Sequence, residues 1–171
     1  MRAAYARAMD ALYLICVVIA GVSLSLMTLV IPYGVWCRYV LNAALAWPEP
    51  FSVLMMVLFV FFGAAAVYRT NAHIGVTLFT DMMPPAARAV AALLVDLLMA
   101  GICLFMVIWG WQLCQITWHQ VIAEFPFVSV GLTYMPIPVG GAVTIAFIIE
   151  KRLCGLPGPD SFIHRDAEEA H

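Results

Sequence analysis

The sequence predicts an all-α integral membrane protein. Four spanning helices are expected, with a short interfacial helix between the first two and both termini cytoplasmic. Three observations carry this expectation. First, 65% of the 171 residues are hydrophobic, only 11% are charged, and the mean hydropathy is +1.00. Soluble domains carry roughly 25% charged residues, and a chain this small could not hide so much apolar surface. Second, four runs lack Asp, Glu, Lys and Arg: residues 11–37, 51–68, 97–123 and 125–149. Third, seven of the eight Lys and Arg residues fall on one side of those runs.

Each run is long enough to span. A bilayer core of about 30 Å needs roughly 20 helical residues. The expected spans are 11–36, 50–68, 88–113 and 128–149, in one membrane domain covering residues 1–153. Residues 154–171 form a polar cytoplasmic tail containing Pro157, Gly158 and Pro159 and ending in "RDAEEAH". Pro50 can open the second helix, because a first-turn N–H has no partner in any case. Pro84 and Pro85 start the third, and "MPIPVG" at 135–140 opens or kinks the fourth. Apolar runs without alternation argue against a barrel. The first run is too long for a signal-peptide core.

Arg2, Arg7, Arg69, Arg88, Lys151, Arg152 and Arg165 share one side, and Arg38 alone lies on the other. The positive-inside bias makes the first group cytoplasmic. The opposite face is then the outer, periplasm-like side. The net charge of −2 says nothing about nucleic acid, but no basic cluster is present to neutralise a phosphate backbone, so no nucleic-acid partner is expected.

The segment "RYVLNAALAWPEPF" at 38–51 interrupts the apolar sequence on the outer side. Trp36, Tyr39, Val40, Ala43, Ala44 and Trp47 recur at helical spacing. Trp and Tyr favour the headgroup zone. A surface helix stopped by Pro48 is expected, with Arg38 and Glu49 in the wet zone. On the cytoplasmic side, "YRTNAHIGVTLFTDMMPPAAR" at 68–88 is too apolar for a free loop. It is expected to lie on the membrane surface or under the bundle.

Candidate chemistry is sparse. Asp96 sits about 16 Å along a third helix that begins near Pro85, and an intramembrane carboxylate is a functional candidate by default. The uncharged run 97–117 is also long enough to span by itself, which leaves Asp96 interfacial. Both readings stay open. In the buried case the partner of Asp96 comes from another helix or subunit. His73 and His119 fall on opposite membrane sides and do not form a metal or haem site. The five cysteines form no C-x-x-C. Cys103 and Cys114 are three turns apart, about 16 Å, too far to pair, and buried thiols acting as apolar fillers are the favoured reading. No catalytic arrangement, phosphate loop or cofactor motif is present, so neither an enzyme nor a cofactor is expected. Small residues lie where helices could touch: Gly21 and Ser25, Gly63, Gly101, Gly110, Gly140 and Gly141. They serve internal packing or a neighbouring protein.

In order, "RYVLN", "WPE", "GAAAVYR", "NAHIGV", "PPAAR" and "MPIPVG" resemble the small membrane subunit, DctQ type, of tripartite ATP-independent periplasmic (TRAP) transporters. The resemblance covers about residues 10–152. It implies a scaffold subunit that pairs with a large membrane subunit carrying the substrate and ion sites. A periplasmic substrate-binding protein delivers an organic acid, and an ion gradient, usually sodium, drives uptake. Membrane lipid completes the expected surroundings. Arg38, Asn42, Trp47, Glu49, Arg69, His73, Pro138 and Gly140 match the family pattern. Pro50 departs from it, standing where a second acidic residue commonly follows the Glu. The end of the chain at His171 leads us to expect the large subunit as a separate chain.

Two other classes compete. A self-sufficient four-helix proton-coupled exporter needs an embedded carboxylate in its first helix. Residues 11–37 have none, so only Asp96 could substitute. A thiol oxidase or quinone-linked enzyme needs paired reactive cysteines.

Overall fold

A computed structural model describes residues 2–43, 45–70, 85–123 and 125–154. Helix α1 runs Arg2–Tyr39, α2 Pro48–Arg69 and α3 Pro85–Thr117. A hairpin of β1 (Val121–Ile122) and β2 (Phe125–Ser129) follows. The short helix α4 (Val130–Tyr134) then leads into α5 (Pro136–Cys154). Among the described residues four stretches are long and apolar enough to cross a membrane: Arg7–Tyr39, Pro48–Arg69, Leu93–Thr117 and Val130–Arg152, with mean hydropathy 1.8 to 2.7. Their most apolar windows are only 17–39% buried within the chain. Faces so exposed and so apolar demand lipid or another protein against them.

The principal contacts run in a row. α1 packs on α2, α2 on α5, and α5 on α3. Among the described residues no comparable contact closes α1 onto α3. The core lies where the row is tightest. Ala65 and Tyr68 of α2 meet Phe147 and Ile148 of α5, flanked by Leu12 and Tyr13 of α1 and Met99 and Ala100 of α3. Cys16, Phe62 and Ala66 continue it toward the membrane centre. Cys16, Cys37, Cys103 and Cys114 are buried and form no disulfide, as fillers should be.

Glycines permit the closest approaches. A Cβ on Gly140 would lie 2.9 Å from Cβ of Phe61 and 3.3 Å from its carbonyl oxygen. Here α5 presses on the backbone of α2. Pro138, buried beside it, packs against Gly110 of α3, where a Cβ would come within 3.1 Å of the proline ring. Gly21 and Gly101 have nothing within 4 Å. The small residues thus divide: Gly110, Gly140 and Gly141 serve internal packing, while Gly21 and Gly101 face outward.

Two expectations require correction. Among the described residues no separate helix stands between α1 and α2. Trp36 and Tyr39 belong to the last turns of α1, and residues 40–43 and 45–47 are turns and irregular backbone. The start of the apolar spacing that suggested a surface helix, Trp36 and Tyr39, is the end of α1, and Val40, Ala43 and Trp47 lie beyond it in the connection. Pro48, not Pro50, begins α2. Its missing N–H costs nothing at a helix start, so the second span gains two residues. The hairpin was also unforeseen. It pairs Val121 with Ser129 and Ile122 with Phe125, antiparallel and with an irregular register. It is fastened to α3 by Ser129 Oγ, which donates to the Trp118 carbonyl (2.6 Å) and accepts from Gly131 N–H to cap α4.

Candidate functional site

At one end of the long helices the charged residues form a belt whose centre, Arg69, Asp96 and Glu150, is buried. Arg69 ends α2 with its side chain only 3% exposed. Its Nε and Nη2 donate to the two Glu150 oxygens of α5, both at 2.9 Å, a bidentate pair. Nη2 also donates to Asp10 Oδ1 of α1 at 2.7 Å. The guanidinium lies 5.5 Å from the Tyr13 ring and 5.4 Å from the Phe147 ring, within cation–π range. Nη1 is buried with no hydrogen-bond partner among the described residues.

Next to Arg69, Tyr68 points to a different helix. Its hydroxyl donates to Asp96 Oδ1 of α3 at 3.0 Å. Lys151 Nζ reaches the same oxygen at 3.1 Å, and Arg152 Nη2 reaches Oδ2 at 2.9 Å. Lys151 also sits 5.6 Å over the Tyr68 ring. Consecutive helical residues point about 100° apart, since a turn holds 3.6 residues. That is why Tyr68 and Arg69 serve two clusters, and why Glu150 and Lys151 do the same from α5. Together the clusters join all four long helices with three cations and three carboxylates.

The sequence left the depth of Asp96 open. The structure buries it, 6% exposed, and its partners come from two other helices of the same chain. Sequence reasoning missed Asp10 and Glu150. The available signal was their depth: Asp10, Arg69 and Glu150 each stand at the same-side end of a span, with opposite signs.

At the other end, the 38–51 collar is divided in role. Asn42 adopts a left-handed backbone (φ 47°), which Asn tolerates better than most residues. This lets Ala43 N–H turn back to the Cys37 carbonyl at 3.0 Å, closing α1. Trp47 packs between Tyr33, ring centroids 6.1 Å apart, and Phe51, 6.3 Å. These two residues shape the α1–α2 connection. Arg38 and Glu49 are exposed, and among the described residues neither side chain makes a hydrogen bond or ion pair. Pro138 and Gly140 belong to the helix packing described above. His73 lies outside the described residues, as do the 71–84 segment and residues 155–171. His119 is exposed in the turn after α3. No cluster of His, Cys, Asp or Glu among the described residues could hold a metal ion.

These features define a multi-pass helical membrane protein whose buried charges bind its own helices together. Comparison with known proteins makes the class particular. The family model described as "Tripartite ATP-independent periplasmic transporters, DctQ component" matches residues 27–158, and the chain belongs to that family. A protein named as a TRAP transporter small permease in Haemophilus influenzae is 28% identical over 142 residues, covering 82% of this chain and 84% of that protein. The sialic acid TRAP transporter small permease protein SiaQ of Vibrio cholerae is 22% identical over 148 residues, with the same coverage of each. The family is a transporter component and not an enzyme class.

Proposed function

We propose that this small TRAP permease subunit is a fixed membrane scaffold. It holds a large membrane subunit in place while that subunit moves an organic acid inward, delivered by a periplasmic substrate-binding protein and driven by an ion gradient, usually of sodium. It sits in a bacterial inner membrane with both termini cytoplasmic. The observation that carries this reading is the charge belt. Its carboxylates and cations are tied to one another across all four long helices, and the remaining helix faces are apolar. A transporter working alone needs a polar path and an ionisable group free to exchange partners. Asp96 instead has three partners at 2.9–3.1 Å, which suits a structural carboxylate better than a proton-coupled exporter.

The test is mild solubilisation of native membranes carrying a tagged chain, followed by identification of what co-purifies. A many-spanning membrane protein at near one-to-one is the expected result. A stable monomer or homodimer with no such partner would overturn the proposal and return attention to Asp96 as an export carboxylate.

A further inference from the structure

A groove of about 430 Å³ runs between α1 and α2. Its walls follow two helical faces. On α1 they are Met27, Ile31, Val35 and Arg38, spaced at 4, 8 and 11 residues. On α2 they are Glu49, Val53 and Met56, spaced at 4 and 7. The lower walls are apolar and open outward: Ile31 is 47% exposed, Val35 52%, Val53 49% and Met56 47%. From Met27 to Arg38 the groove extends about 16 Å along the helix axis, the length of a substantial part of an acyl chain. Its collar end carries one cation and one carboxylate, and among the described residues neither is paired.

An apolar trough that opens toward the membrane and ends in two unpaired opposite charges is complementary to a lipid with both charges in its headgroup. We propose that the α1–α2 groove binds one phospholipid whose headgroup carries a phosphate and a primary ammonium, as in phosphatidylethanolamine. The phosphate accepts from the Arg38 guanidinium, which can donate two parallel hydrogen bonds to it. The ammonium donates to the Glu49 carboxylate. One acyl chain lies along Ile31, Val35, Val53 and Met56. Gly34, opposite Pro48 with only 3.0 Å available to a Cβ, draws the helices together beneath the headgroup. Position 50 fits the same pattern. With proline there, Glu49 is the single carboxylate of the "WPEP" turn, so the headgroup site balances one cation against one anion. This assignment is independent of the scaffold reading.

The test uses the full chain in nanodiscs doped with a photoactivatable acyl-chain phosphatidylethanolamine, with adducts mapped by mass spectrometry. Matched phosphatidylcholine and phosphatidylglycerol probes carry the same reactive chain. Adducts on Ile31, Val35, Val53 and Met56 should form several-fold more with the ethanolamine probe than with the others. Adducts on Leu97 and Leu98, exposed on α3, should show no preference and serve as the internal standard for a folded chain. Arg38→Ala should bring groove labelling by all three probes down to that standard. Glu49→Gln should erase only the preference for ethanolamine over glycerol. Equal groove labelling by all three headgroups, unchanged in Arg38→Ala, would reduce the groove to ordinary lipid contact and overturn the proposal. Loss of groove labelling when a co-purified membrane subunit is reconstituted would overturn it too, by showing that a protein helix fills the trough.

Discussion

Replacing Arg69 with alanine removes the one cation that two carboxylates on two helices share. Three charge-assisted hydrogen bonds go, at 2.9, 2.9 and 2.7 Å, each worth about 1.5–3 kcal/mol. Adding them overshoots, because Asp10 keeps a side chain 30% exposed and can hydrate. Glu150, only 10% exposed, cannot do so freely. The governing cost is that of a buried charge left without its partner, about 3–5 kcal/mol. At a factor of ten per 1.4 kcal/mol, that is roughly a hundredfold to several-thousandfold loss in the folded-to-unfolded ratio. The assay is reversible unfolding of the purified chain in mixed micelles by SDS titration. Glu150→Gln should cost less, since Arg69 keeps Asp10. Combined with Arg69→Ala it should add little, giving a coupling energy of about 2 kcal/mol in the double-mutant cycle. An Arg69→Ala protein within about 0.5 kcal/mol of wild type, or two single effects that simply add, would refute the idea that the belt holds the helices.

Three other substitutions probe the remaining features. Asp96→Asn still accepts from Tyr68 but removes the carboxylate that Lys151 and Arg152 share. Those side chains are 29% and 47% exposed and can hydrate, so a loss of about 1 kcal/mol is expected, with uptake by the assembled transporter retained in a radiolabelled-substrate assay. Gly140→Ala drives a methyl against the Phe61 backbone and should cost about 1–3 kcal/mol, whereas Gly21→Ala, with open space around it, should leave the thermal midpoint of the isolated chain unchanged or higher. Asn42→Val, forced into a left-handed backbone at φ 47°, should lose about 1–2 kcal/mol, while Asn42→Gly should match wild type in the same melt.

The long helices were legible because the membrane imposes one simple rule, a sufficiently long apolar run, and residues 11–37 or 51–68 obey it locally. The ends were harder. Helix α1 continues through Arg38 and Tyr39, since a charge at the membrane edge does not stop a helix. The apolar spacing at 36–47 therefore had two readings, and composition could not choose between them. The hairpin at 121–129 is hidden inside apolar sequence, where a short irregular pairing leaves no alternation to detect. The belt is a product of the fold. Arg69 lies 59 residues from Asp10 and 81 from Glu150, and no periodicity connects such distant positions. The resemblance singled out Arg69 but offered no partners for it. Asn42, Trp47, Pro138 and Gly140 were marked in the same way, and they lie at a backbone turn, an aromatic contact and a close helix approach.

The row of helices also bears on how such a protein could steady a moving neighbour. In a closed four-helix bundle, each helix leans on two others and the apolar core supplies most of the order. Here α1 and α3 are the outer members, each packed mainly on one long helix. Between helices in lipid there is little hydrophobic drive, so an outer helix held only by contact would tilt readily. The belt supplies the missing constraint at one end. It anchors α1 through Asp10 and α3 through Asp96, both to the central pair α2 and α5. The other end is held differently. The Asn42 turn and the Trp47 ring contacts join α1 to α2, and Ser129 ties the hairpin back to the end of α3. An outer helix fixed at both ends can keep a broad apolar face at constant tilt without a partner behind it. Such a face is what a rigid wall for a moving membrane subunit requires, and it needs no ionisable group of its own.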